Sequence, residues 1–417
     1  MNSAILEIGR ALSVTALLLA QSLPVQAGDL SGRVELSFQS SNAASDSATV
    51  LFGGPDHQDV LGDLRLRWSH DWGDISAEVH YKLSVQAGPG VGISEGIAAL
   101  SPNPPPANFL ELSRTTTNGS DQALEHRIDR LSLTYSTPNL VVRVGRQALS
   151  WGAGTVFHPM DLVAPFSPTT RDTEFKPGVD MAYAQFLLND GSDVEAIVVP
   201  RRSVPGGPAT WEASTFGLRY RTTMGDTGAE FILARDHGDT TAGLGLSGDL
   251  GGASWNVELV PTWLSSGDVR TSGLANISTG ISAFGRSALV FGEYYHNGFG
   301  VAGTPASLGA LPPELTDRLQ RGQVFSLSQD YFAIGLTVAW TPLLTLSGGA
   351  VFNLDDNSSM TTIEANWSLS DNANLIAGAI LPTGAAGSEF GGIALTTGSP
   401  IYARPESSVY IRYRQYF

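Results

Sequence analysis

The sequence predicts an all-β protein: a transmembrane antiparallel sheet closed into a barrel of about 18 strands (16–18). Two observations lead there. From Ser31 onward, apolar and polar residues alternate with period two over runs of about 7 to 12 residues. The segments between these runs are long and short in turn, as if every second connection lay at the same end of the sheet. A third observation is an absence: no apolar run reaches the roughly 18 residues that a membrane-spanning helix needs.

The alternation is clearest in 75–86. Ile75, Ala77, Val79, Tyr81, Leu83 and Val85 face one way, and Ser76, Glu78, His80, Lys82, Ser84 and Gln86 the other. The segments 33–39 and 63–69 repeat it, with Val34, Leu36, Phe38, Leu64, Leu66 and Trp68 on the apolar side. A soluble β-sandwich alternates too, but strands of about 9–11 residues with a charged second face suit a barrel whose apolar face meets lipid. The connections 71–74, 137–139, 190–193, 223–227, 248–251, 285–286, 341–342 and 370–372 are short, and each carries Gly, Pro, Asn or Asp, as turns require. On the other end, 40–57, 87–124, 146–177, 202–210, 265–270, 297–328 and 382–406 are longer, with short returns near 238–240 and 355–358. Long outer loops and short periplasmic turns are the asymmetry of outer-membrane barrels.

Composition sets the bounds. The chain has 417 residues, no cysteine and a formal net charge of −16, which excludes thiol catalysis, disulfides and cysteine-held metals and disfavours nucleic acid as a partner. Only 15 % of residues are charged, low for a soluble domain. Arg10, the apolar run 11–20 and the small-residue site Val25-Gln26-Ala27 read as a secretory signal, although Glu7 is atypical there. The expected organisation is a signal peptide over 1–27 and a single barrel over 28–417, placed in the bacterial (Gram-negative) outer membrane after secretion to the periplasm.

The last strand carries a resemblance. Val409, Ile411, Tyr413 and the terminal Phe417 share one face, which resembles the C-terminal signature by which bacterial outer-membrane proteins are recognised for barrel insertion; Gln415 departs from it. The implied partners are the lipid bilayer, lipopolysaccharide and the barrel insertion machinery. Residues 142–152 (V-R-V-G-R-Q-A-L-S-W-G) also resemble a strand-and-loop motif of alginate-export-type and related porin-like barrels. The F-H-P-M-D-L-V-A-P-F-S-P that follows does not match that family.

With polar faces inward, the lumen receives Arg33, Arg65, Arg67, Lys82, Arg130, Arg143, Arg219, Arg221, Arg412 and Arg414, against Glu35, Glu78, Glu195, Glu230, Glu258, Glu293 and Glu364. Most of the bases fall on the first five strands and the last, and most of the acids on later ones. A cationic wall facing an acidic one would act on any solute between them. The bland alternative, mutual pairing in a plugged interior, loses ground because about 18 strands enclose a wide lumen.

The long segment 146–177 is the candidate constriction. It has no sustained period, yet Trp151, Phe157, Leu162 and Phe166 give it anchors. It falls in the third outer connection, which in general porins folds inward. Arg146, His158, Asp161, Arg171, Asp172, Glu174 and Lys176 would then line the narrowing; the alternative is a lid on the outer rim.

Other motifs carry less. Gly243-Leu-Gly245-Leu-Ser-Gly248 matches a dinucleotide fingerprint literally but lacks the helix that must follow. His158 and Asp161 lack a third ligand, Arg235-Asp236-His237 reads as a solvated turn, and 101–106 as a stiff Pro-rich loop. No enzyme, cofactor or metal site is expected. The function that fits is a porin-like channel for small hydrophilic solutes, with anions the class suited to a mildly basic lumen. Its alternatives are an export conduit for polysaccharide or other cargo, and a non-transport barrel acting as adhesin or receptor.

Overall fold

The computed structural model describes residues 30–99, 107–168, 170 and 172–417. They form a closed antiparallel barrel of 18 strands. The first half comprises β1 (Leu30–Asn42), β2 (Asp56–Trp72), β3 (Ile75–Ala87), β4 (Gln122–Ser136), β5 (Leu140–Gln147), β6 (Val179–Leu187), β7 (Asp193–Val199), β8 (Thr215–Met224) and β9 (Thr227–Asp236). The second comprises β10 (Asp239–Leu250), β11 (Ala253–Trp263), β12 (Val269–Ala283), β13 (Arg286–His296), β14 (Asp330–Thr341), β15 (Leu344–Asn353), β16 (Ser359–Ser370), β17 (Ala373–Thr383) and β18 (Ser407–Tyr416). Each strand pairs with its neighbour in sequence, and β18 closes on β1 with Tyr416 opposite Arg33 and Ser407 opposite Asn42. The connection lengths alternate as expected, so long loops gather at one end and short turns with the terminal Phe417 at the other. The expected signal segment lies outside the described residues.

The outward face is apolar and bare of protein. Leu133 and Leu233 are each 56 % exposed and Val409 55 %, which no aqueous surface explains but a bilayer does. Exposed aromatic side chains rim this band at both ends. Trp72, Phe284, Trp340 and Trp367 lie toward the short turns, and Trp263, Tyr294 and Phe352 toward the long loops. Two such girdles are what barrels place at the membrane–water interfaces.

Alternation breaks once with consequence for the lumen. Opposite His80–Tyr81 of β3, β4 supplies Arg130, Asp129 and Ile128, so Asp129 is an extra residue and the strand bulges. Both Asp129 and Arg130 are buried inside the barrel, and Arg127 faces the lumen with Lys82. Strict alternation had left Asp129 and Arg127 out of the lumenal set.

The hydrophobic core sits within the lumen, between wall and loop. Trp151, Met160 and Val163 of the 148–178 loop pack on Val179, Met181, Ile197, Val199, Ile232 and Val260. Phe157 packs on Leu274, Tyr295, Tyr331 and Ala333. Above them the helix α1 (Pro313–Gln320), begun by Pro313 at a position where its missing N–H costs nothing, buries Leu315 against Phe299 and Val324.

Candidate functional site

Residues 148–178 fold into the lumen and cross it. One edge is held by glutamates spaced on alternate strands. Trp151 Nε1 donates to Glu195 on β7 (3.0 Å), Gly152 N to Glu230 on β9 (3.2 Å) and Ala153 N to Glu258 on β11 (2.5 Å). Glu293 on β13 accepts from three consecutive amides, Thr155 (2.6 Å), Val156 (2.9 Å) and Phe157 (2.8 Å). Asn276 on β12 closes the row, donating to Ala153 O (3.2 Å) and to Glu293 (3.0 Å). A carboxylate can accept several such bonds at once, and each is stronger than a neutral pair.

The loop's anchors need room in the wall, and glycines supply it. A β-carbon on Gly217 would come within 2.7 Å of the Trp151 ring; one on Gly245 would sit 3.2 Å from Met160 Sδ. One on Gly243, beside it, would come within 2.5 Å of Ile232 Cγ1 and 3.3 Å of Met160 Cε. The Gly-x-Gly pair that imitates a nucleotide fingerprint is therefore the seat of Met160.

The other edge of the loop meets the bases. Arg33 donates Nη2 to Asp172 and Nη1 to Glu174, each at 2.7 Å. Arg414 reaches Asp172 at 3.2 Å and Glu35 at 2.5 Å, and Tyr416 Oη donates to Glu174 at 2.9 Å. The Phe175 ring lies between three guanidinium groups, Arg65 at 4.2 Å, Arg33 at 5.0 Å and Arg67 at 5.6 Å from its centre. Burial would raise the Asp172 carboxyl, but the hydrogen bond and charge of Arg33 outweigh it and hold it below the usual range. The expectation of two charged walls facing each other across water is thus corrected: the loop lies between them, its amides to the acids and its carboxylates to the bases.

The remaining candidates divide by surroundings. Arg33, Arg65, Lys82 and Arg127 stand opposite one another on four adjacent strands, a basic row across the wall. Lys82 pairs with Asp63 (2.9 Å) and Arg65 with Asp129 (2.6 Å), while Arg143 bonds only Thr134 (2.9 Å) among the described residues. Arg130 is buried, donating to Lys176 O and to its neighbour Asp129. Arg412 pairs with Glu364 (3.0 Å), Arg219 with Glu195 and Glu230, and Arg221 with Asp193 (3.0 Å).

Several candidates do not offer their charge to a passage. Arg146 is 2 % exposed and forms a two-pronged pair with Asp180 of β6 (2.8 and 2.9 Å), fixing the start of the loop. Glu293 spends both oxygens on loop amides, and Glu258 turns Oε1 to Ala153 N. His158 and Asp161 form no dyad: Asp161 pairs with Lys176, and its backbone N–H closes a turn on His158 O (3.1 Å). Burial, then the nearby Lys176, lowers the His158 imidazole, whereas burial raises Asp161 to about 6 against the pull of Lys176. Arg171 lies outside the described residues. Asp236, expected in a solvated turn, is buried and accepts from Thr215 (2.5 Å) and Gln323 (2.6 Å), because the 297–329 loop covers it. Glu195 and Glu230 were legible as lumenal acids; Asn276, Met160 and Phe175 were missed, since nothing in a period marks which wall position meets a loop.

Inward-facing side chains remain wet where the loop does not reach. Lys82 is 27 %, Arg127 30 %, Glu78 38 % and Arg221 44 % exposed. Beneath Gly152 and Ala153, a polar cavity of about 360 Å³ is lined by Asp193, Arg221, Glu230, Ser247, Asn256 and Glu258.

Comparison with solved structures bears on the fold. OccK9 (OpdG) of Pseudomonas aeruginosa superposes with a TM-score of 0.56 at 9 % identity, over 94 % of this chain and 99 % of that one. OccAB2 of Acinetobacter baumannii gives 0.54 at 9 % identity, over 93 % and 97 %. Wzi of Escherichia coli, an outer-membrane protein of group 1 capsule assembly and a carbohydrate-binding β-barrel, gives 0.54 at 10 % identity, over 98 % and 91 %. No family model and no curated protein matches. At these identities the likeness is one of fold, the closed β-barrel that these outer-membrane proteins share.

Proposed function

We propose that the chain is a passive channel for small hydrophilic solutes, narrowed by residues 148–178 and favouring anions. The loop's path across the lumen is the observation that carries this reading. It is clamped at both edges, so it narrows the barrel rather than capping its rim, while charged side chains on β3, β4 and β8 stay solvent-accessible. Preference for anions rests on how charge is spent. Four wall glutamates turn to loop donors, whereas Lys82, Arg127, Arg143 and Arg221 keep exposed surface.

A polymer-export conduit fits less well, because a chain wide enough to fill the barrel would have to strip five loop amides from their carboxylates. An enzymatic role is not part of the proposal, since the His158–Asp161 pair is engaged otherwise. Lipopolysaccharide around the outer rim and the insertion machinery addressed by the last strand complete the proposed partners. Purified protein in a planar bilayer under a salt gradient tests the reading. Discrete steps with an anion-selective reversal potential are expected; absence of conductance overturns the channel, and a cation-selective potential overturns the preference.

A further inference from the structure

One part of the lumenal wall does not suit water. Phe291, Tyr331, Val351 and Met360, on β13 to β16, point inward, where a water-filled pore ordinarily carries polar residues. Phe157 covers part of this surface, stacking on Tyr295 with centres 4.5 Å apart and lying 5.6 Å from the Tyr331 ring. Between loop and wall there remains a cavity of about 260 Å³, bounded on the long-loop side by Phe325 and Phe390.

Among the residues lining this cavity, Glu389 is the one acid, and there is no base. Its carboxylate accepts from Tyr331 Oη, from Asn353 Nδ2 at 2.7 Å and from Leu327 N at 3.1 Å, so it is fixed in place and acceptor in character. Ser167, Ser326 and Thr362 add hydroxyls to a lining that is otherwise mostly apolar. The basic row of Arg33, Arg65, Lys82 and Arg127 stands on β1–β4, away from these strands.

We propose that this cavity binds a single-ring aromatic or alicyclic solute bearing hydroxyl groups and no carboxylate. Size argues for one ring: an apolar cavity of about 150 Å³ already holds benzene, so this one accommodates a ring with small substituents and little more. Polarity argues for hydroxyl donors: the lining offers the Glu389 acceptor and no base, so a hydroxyl finds a partner whereas a carboxylate would be desolvated without a counter-ion. The inference deepens the channel reading and rests on it: hydroxylated rings would pause on the β13–β16 side while anions follow the basic row.

The test uses the full-length protein in lipid nanodiscs, titrated calorimetrically with 4-hydroxybenzyl alcohol and 4-hydroxybenzoate against empty discs. The alcohol is expected to bind at least tenfold more tightly than the carboxylate. Val351→Trp, which fills the cavity, should weaken alcohol binding at least tenfold, and Glu389→Gln should bring the two probes within about threefold of each other. Folding of each variant is checked by its heat-modifiable gel migration. Undetectable alcohol binding, equal binding of the two probes to the unaltered protein, or full binding by folded Val351→Trp would each overturn the proposal. The probe comparison on the unaltered protein decides even where a variant does not fold. A protein that conducts but binds no alcohol loses this inference alone; one that binds alcohol but never conducts loses the channel reading.

Discussion

The Phe417 ring lies across Gly32, so close that a β-carbon on Gly32 would come within 2.3 Å of Phe417 Cζ and 2.8 Å of Arg65 O. The two residues also exchange backbone hydrogen bonds, Gly32 N to Phe417 O at 2.8 Å and Phe417 N to Gly32 O at 3.1 Å. The terminal aromatic is therefore part of the seam that closes the barrel. Gly32→Val should displace the ring and crowd β2, costing about 1–3 kcal/mol by overpacking. The expected result is less of the compact, heat-modifiable species after refolding, with Phe417→Ala partly restoring it in the double variant. No rescue would show that the Arg65 carbonyl, not Phe417, makes the position intolerant.

Glu293 carries the most loop contacts of the wall acids, three amides, and also accepts from Asn276 of the neighbouring wall strand. Glu293→Ala leaves those donors without an acceptor in a buried place, a loss on the order of 3–5 kcal/mol spread over the loop. Single-channel records should then show larger and noisier conductance, since the loop's edge swings free of β13. Unchanged conductance would mean that Phe157 and Met160 hold the loop by packing alone.

How much of this was legible in the sequence follows from what enforces each feature. Lipid on one side and water on the other impose strict alternation, so strands such as 75–86 and the short turns could be read directly. The bulge at Asp129 could have been read as well: Ile128-Asp129-Arg130-Leu131 places two polar residues side by side, a slip of phase that moves Arg127 into the lumen. The loop's route was not readable, because backbone N–H directions in a segment without a period depend on the wall it meets. Its glycine seats explain why. Gly217, Gly243 and Gly245 look like ordinary small strand residues until Trp151 and Met160 rest on them.

Arg143 and Arg146 are three residues apart and should behave differently. Arg146 is locked to Asp180, and Arg146→Ala would leave that carboxylate buried and unpaired, a cost of about 3–5 kcal/mol. Arg143 is half-buried, pairs with no carboxylate among the described residues and faces the lumen beside Thr134. Arg143→Ala should shift the reversal potential toward cations with little change in stability, whereas Arg146→Ala should lower yield and unfolding temperature. An equal shift in potential from both variants would contradict the assignment of Arg146 to structure.

The Asp161–Lys176 pair gives the loop a pH dependence whose sign can be worked out. Burial raises Asp161 to about 6, above the ordinary value of 3.8, despite Lys176. The folded protein therefore takes up this proton before the unfolded chain does. Its contribution to stability is fully present below about pH 4 and is lost as pH rises through 6. Asp172 acts in the opposite sense: its carboxyl is held low, so its contribution is present above pH 4 and is lost at more acidic pH. A single unfolding curve mixes the two, but the difference between the natural protein and Asp161→Asn isolates the first. Between pH 7.5 and pH 4.5 that difference in unfolding temperature should move in favour of the natural protein, as read by heat-modifiable migration. A difference that stays constant, or moves the other way, would mean that Asp161 remains charged beside Lys176 throughout.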